Sequence, residues 1–107
     1  MEPRGGCHCG NLQLTLRLTR PPAEVRLRAC GCSFCRRHGT KAVADPNGLL
    51  TISAPPNGLN RYRFGLRTAD YLICRTCGAY VAAVISGNGE ERATLNVTAT
   101  AISELAD

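Results

Sequence analysis

The spacing of the cysteines constrains this chain more than any other feature of it. Seven cysteines fall in three groups: Cys7-His8-Cys9, Cys30-Gly31-Cys32-Ser33-Phe34-Cys35 and Cys74-Arg75-Thr76-Cys77. Two cysteines with one residue between them would need an unusually tight loop to reach ordinary disulfide geometry. An odd total also leaves one thiol over, whatever the pairing. A metal accepts such spacing easily. Zinc–sulfur bonds of about 2.3 Å gather thiolates around one centre without joining sulfur to sulfur. Soft thiolate ligands favour zinc, iron or copper(I) over calcium and magnesium. Seven divides into four and three, which predicts one closed tetrahedral site and one site with an exchangeable fourth position.

Cys7-x-Cys9-Gly10 and Cys74-x-x-Cys77-Gly78 each supply two sulfurs beside a glycine turn, so together they are expected to form the closed site. Cys30, Cys32 and Cys35 are three sulfurs on one short loop, enough to hold a metal but one short of closure, as in catalytic zinc. His8 lies between two sulfurs and is expected to point away from their metal. His38, three residues past Cys35, either closes the second site as a fourth ligand or stands beside it as a proton carrier, and spacing leaves both open. Arg36, Arg37 and Lys41 follow that loop directly. They are either a solvated charged face or the anchors of a carboxylate-bearing thiol, a ligand that guanidinium forks beside an open metal would suit.

With 107 residues the chain has room for a single domain, read as 1–107, with a modest core that metal binding would help to stabilise. Leu12, Leu14, Leu16 and Leu18 alternate with polar residues from Asn11 to Leu18, the mark of a half-buried antiparallel strand. Further strands are read at Val25–Ala29, Ala42–Ala44, Leu49–Ile52, Asn60–Phe64, Tyr71–Ile73, Tyr80–Ile85 and Arg92–Thr100. Turns fall at Asp45-Pro46-Asn47-Gly48, Pro55-Pro56-Asn57-Gly58 and Ser86-Gly87-Asn88-Gly89. No strong helix is expected, and the tail, Ala101 to Asp107, is read as either adding a short helical turn or fraying. The fold class is therefore mainly β, a compact zinc-binding arrangement of antiparallel strands.

The formal charge of +5 would point toward nucleic acid, but seven thiolates and two divalent cations bring it to about +2. Exposed aromatics interleaved with basic residues are also scarce, so a nucleic-acid partner is not expected. No run is long enough to span a bilayer as a helix. The first residues carry Arg4 and two glycines rather than an apolar run, and the thiol-rich composition suits a reducing compartment, so a cytoplasmic location is the expectation.

The same residues carry a family resemblance. Cys7-His8-Cys9-Gly10, Cys30-x-Cys32-Ser33-x-Cys35-Arg36, Gly39 and Cys74-x-x-Cys77-Gly78 resemble the signature of the glutathione-dependent formaldehyde-activating enzymes, a family that also includes centromere protein V. The resemblance runs from Gly6 to about Val97. It implies a β-tent fold with two zinc ions, a structural one on Cys7, Cys9, Cys74 and Cys77 and a catalytic-type one on Cys30, Cys32 and Cys35. It further implies a carbon–sulfur lyase activity, with glutathione and formaldehyde combining to S-hydroxymethylglutathione. On this reading His38 moves the proton, and Arg36, Arg37 and Lys41 hold the thiol's carboxylates. The alternative is a zinc-stabilised binding module without turnover.

Overall fold

Strict alternation of apolar and polar side chains builds the first sheet. The computed structural model describes residues 3–19, 21, 24–25, 27–29, 31–44, 48–64, 69–87 and 90–100, with the backbone alone for 86, 87, 90 and 91. Strand β2 (Gln13–Arg17) lies between β1 (Arg4–Gly6) and β5 (Leu49–Ser53), antiparallel to both. Its leucine face is buried as the alternation predicts: Leu12, Leu14, Leu16 and Leu18 are at most 6 % exposed, while Gln13 and Arg17 are exposed. Each leucine so buried contributes about 1.5–3 kcal/mol of hydrophobic stabilisation.

The second sheet has six antiparallel strands: β3 (Arg28–Ala29), β4 (Lys41–Val43), β6 (Leu59–Tyr62), β7 (Ala69–Cys74), β8 (Tyr80–Gly87) and β9 (Glu90–Asn96). Their order is β3-β4-β9-β8-β7-β6. Register places Leu72, Ala82, Leu95 and Val43 side by side across four strands, and all four join the leucines of β2 in the main core. Period two then sends the next row, Tyr71, Ala83 and Thr94, to the opposite face. A bulge modifies this pattern at Val81. Ile73 pairs with Tyr80 and Leu72 with Ala82, so Val81 is the extra residue on β8. Val81 and Ala82 both enter the main core, and Tyr80 turns to the face that Ala83 occupies.

That second face is covered by a helix the sequence did not predict, α1 (Ser33–His38). Cys32 caps it by accepting a hydrogen bond from the Cys35 N–H, and Arg36 and Arg37 place positive charge near its C-terminal end, where the helix dipole favours it. Six residues are too few for helical periodicity to register in a sequence. Cys35, Tyr80 and Ala83 form a second buried cluster beneath α1, with Phe34, Tyr71 and Ile73 packed against it.

The last expected strand, read through to Thr100, instead stops at Asn96 and passes into α2 (Val97–Thr100). Asn96 is buried and fully engaged. Its amide donates to the Tyr80 carbonyl at 2.9 Å, its side-chain oxygen accepts from the Thr98 N–H at 3.2 Å, and its own carbonyl accepts from Thr100 Oγ1 at 2.8 Å. Asn side chains bond their own downstream backbone in this way and turn a strand into a cap. Among the described residues no helix is long and apolar enough to cross a membrane.

Candidate metal centre

Two tight turns converge at one end of the sheets. The first follows β1, where the Gly10 N–H donates to the Cys7 carbonyl at 3.1 Å; the second follows β7, where the Gly78 N–H donates to the Cys74 carbonyl at 2.9 Å. Gly10 and Gly78 take φ of 85° and 77°, the left-handed region that a side chain would strain, which is why each cysteine pair is followed by glycine. The turns are joined directly, since Asn11 Nδ2 donates to Thr76 Oγ1 at 3.0 Å.

This brings Cys7, Cys9, Cys74 and Cys77 together, with all four sulfurs within 4.8 Å of one another and Cys9 Sγ 3.6 Å from both Cys7 and Cys74. Bonds of about 2.3 Å to a tetrahedral zinc would hold sulfurs about 3.8 Å apart, so the donor set and its spacing fit that ion. Backbone N–H groups already point at the sulfurs, from Leu12 to Cys7 at 3.3 Å and from Cys77 to Cys74 at 3.5 Å. His8 is exposed and outside the cluster.

The sulfurs share protons unequally. At Cys77 desolvation is outweighed by backbone hydrogen bonds and by its neighbours Cys74 and Cys9, and the thiol falls to about 6. Burial pushes Cys7 up, yet the Leu12 N–H and the bonds with Cys9 and Cys74 bring it below its ordinary value. Cys9 is pulled down by the backbone of Asn11, but desolvation and the three adjacent sulfurs drive it up to about 11. At neutral pH the cluster therefore holds a thiolate at Cys77 and a proton at Cys9, which a cation would replace.

Of the second cysteine group, Cys30 lies outside the described residues, so the expected three-sulfur site is seen only through Cys32 and Cys35. Cys32 is the N-cap of α1, and Cys35 is buried against Tyr80 and Ala83. His38 lies on the last turn of α1. Its Nδ1–H donates to the Phe34 carbonyl at 2.9 Å, because a carbonyl can only accept, which leaves Nε2 as the ring nitrogen outside that bond. The ring stacks on Phe34 with centroids 4.3 Å apart.

Sequence reasoning missed a gathering of aromatic side chains here. Phe34 meets Tyr62, Phe64, Tyr71 and Tyr80, so all five aromatic residues of the chain converge on α1. It is the hairpin register that sets Tyr62 opposite Tyr71, a pairing that sequence spacing does not give. A cleft of about 410 Å³ opens among Ser33, Phe34, Arg37, His38, Tyr62 and Phe64. Of the three basic residues expected to hold substrate, Arg37 lines this cleft, while Arg36 and Lys41 are exposed and do not. Arg61 and Arg63 are engaged by Asp70, whose carboxyl the Arg63 guanidinium, helped by Arg61, holds below the usual carboxylate range.

Fold and site together define a two-sheet antiparallel β protein whose sheets meet at a four-cysteine cluster poised for a metal. No protein-family model matches the chain. It is similar to a Rhodobacter sphaeroides protein whose crystal structure was determined as a structural-genomics target. Identity is 37 % and the TM-score 0.69, over 90 % of this chain and 85 % of that one. The chain belongs to the same family as that Rhodobacter sphaeroides protein.

Proposed function

We propose that the protein is a β-tent zinc enzyme of the glutathione-dependent formaldehyde-activating type, a carbon–sulfur lyase acting on thiol–aldehyde adducts. The observation that carries this reading is the division of labour between the sulfurs. Cys7, Cys9, Cys74 and Cys77 close on one another, whereas Cys32 caps α1 and Cys35 lies on it, the same helix whose Arg37 and His38 line a cleft. A zinc held by Cys30, Cys32 and Cys35 would stabilise a substrate sulfur as thiolate. The chain supplies the rest. Arg37 offers a fork to a substrate carboxylate, and Phe34, Tyr62 and Phe64 give the cleft apolar walls. In adduct formation the sulfur–carbon bond forms as the carbonyl π bond opens, and the thiol proton ends on oxygen. His38 Nε2, the ring nitrogen outside the Phe34 bond, is the group to carry that proton.

The second reading is a zinc-stabilised binding module without turnover. It is favoured by the fact that, among the described residues, the one group able to hold a metal is the closed one. Zinc-loaded protein mixed with glutathione and formaldehyde, followed by nuclear magnetic resonance with the uncatalysed rate subtracted, separates the two. Accelerated formation of S-hydroxymethylglutathione, lost in Cys32→Ala, supports the enzyme. No acceleration by protein carrying two zinc equivalents leaves the binding module.

A further inference from the structure

The rings that line the cleft at α1 share an orientation. Phe34 lies 28–29° from parallel to His38, Tyr62 and Phe64, and Tyr62 lies 25° from parallel to Phe64, with centroids 4.3–5.9 Å apart. Offset stacks of this kind show ring faces to whatever lies beside them. Tyr62 remains 46 % exposed among these rings, so a large part of its side chain is left for a ligand to cover. Charge reaches the same cleft from the helix. Ser33 and Arg37, like Phe34 and His38, are four residues apart on α1, which sets them on one side of it. Arg37 is exposed, and no carboxylate is among the described residues that line the cleft. Asp70, which engages Arg61 and Arg63, is not one of them.

We propose that this cleft binds an aryl carboxylate, a ring or two fused rings bearing one acidic group. The ring lies along Phe34, Tyr62 and Phe64, and the carboxylate takes the two parallel N–H donors of the Arg37 fork. Both halves of the lining are needed to choose this ligand. A neutral arene leaves the guanidinium without an anion, and an aliphatic acid covers the rings without stacking on them. The volume of about 410 Å³ lies within the range of small-molecule sites. Neither formaldehyde nor a peptide thiol such as glutathione has a ring to set against these faces. The inference rests on the thiol–aldehyde reading only for the ligand's role, which is to be the part of the adduct that the cleft holds.

2-Naphthoate is the probe, since it has the ring and the charge but neither thiol nor aldehyde, and so reports occupancy apart from reaction. Titrated into zinc-loaded protein, it shifts the ring-proton resonances of Phe34, Tyr62 and Phe64 saturably. Two analogues divide its chemistry. 2-Naphthamide keeps the rings without the charge and binds roughly five- to tenfold more weakly. Decahydronaphthalene-2-carboxylate keeps the charge without the π faces and binds roughly three- to tenfold more weakly. Arg37→Gln brings naphthoate down to the affinity of the amide, and Arg37→Lys, which keeps the charge but not the fork, falls between. Should Arg37→Gln fail to fold, the comparison of naphthoate with naphthamide in the parent protein makes the same test. Absence of saturable shifts, shifts centred on other residues, or equal affinity for naphthoate and either analogue overturns the proposal. Arg37-dependent binding by protein that accelerates no thiol–aldehyde addition removes the enzyme and keeps the aryl carboxylate site. Accelerated addition of glutathione to formaldehyde by protein that does not bind naphthoate removes the site and keeps the enzyme.

Discussion

Cys74 is 1 % exposed, ends β7 and lies 3.6 Å from Cys9, so replacing it strips a sulfur from the cluster and leaves three cysteines around a gap. Apparent binding free energies of structural zinc are about 10–16 kcal/mol, comparable with the whole stability of a domain this size. Cys74→Ala is therefore expected to lower the melting temperature by at least as much as complete removal of the metal and to cut the soluble yield. Cys32 is different in kind. It is half-buried against the α1 cluster, and its cap of a six-residue helix is worth about 1 kcal/mol. Cys32→Ala should keep the native circular dichroism and lose whatever reaction the protein performs. Equal collapse of both variants would mean that both cysteine groups are structural.

At the scale of elements, what the sequence made legible was whatever period two controls. The leucines of β2 and the two glycine-flanked cysteine turns fell where expected, because alternation and positive φ leave direct marks on residue type. The Tyr80–Ile85 run was legible as a strand but not as a two-faced one, since a bulge is one residue of register that depends on the partner strand. For the same reason the aromatic cluster was invisible, its members being joined by strand pairing rather than by sequence. The α1 helix was too short to show, and Asn96 ended β9 through hydrogen bonds that composition does not reveal. The bulge is testable by deletion. Removing Val81 leaves Tyr80 directly beside Ala82, so regular alternation keeps Tyr80 on the α1 face opposite Ile73 and the leucine core loses the Val81 side chain. The expected cost is about 1.5–3 kcal/mol in urea denaturation, with the nuclear Overhauser contact between Phe34 and Tyr80 kept. Loss of that contact would show that the extra residue, rather than the pairing with Ile73, decides where Tyr80 points.

Across the whole molecule, the metal centre acts as a staple between sheets. Cys7 and Cys9 lie between β1 and β2 of the small sheet, and Cys74 and Cys77 follow from β7 in the large one, so one ion would fasten both at the same end. Removing the ion leaves the leucine core as the main tie between the sheets. A few kcal/mol lost from a domain of this size lowers its melting temperature by well over 10 °C. Chelation is therefore expected to produce such a drop, with amide exchange rising first in β1 and β2. Reloading should be coupled to protons in a way the sulfurs dictate. Above about pH 6 Cys77 is already a thiolate, while Cys9, raised to about 11, must surrender a proton when zinc enters. As pH falls through 6, Cys77 takes up a proton as well, so binding must displace one more and zinc affinity declines. Calorimetric titration of zinc into metal-free protein, in buffers of different ionisation enthalpy, reads that count directly. It should rise by about 0.7 of a proton between pH 7.5 and pH 5.5, and a constant count would show that Cys77 is not the low-lying thiol of the cluster.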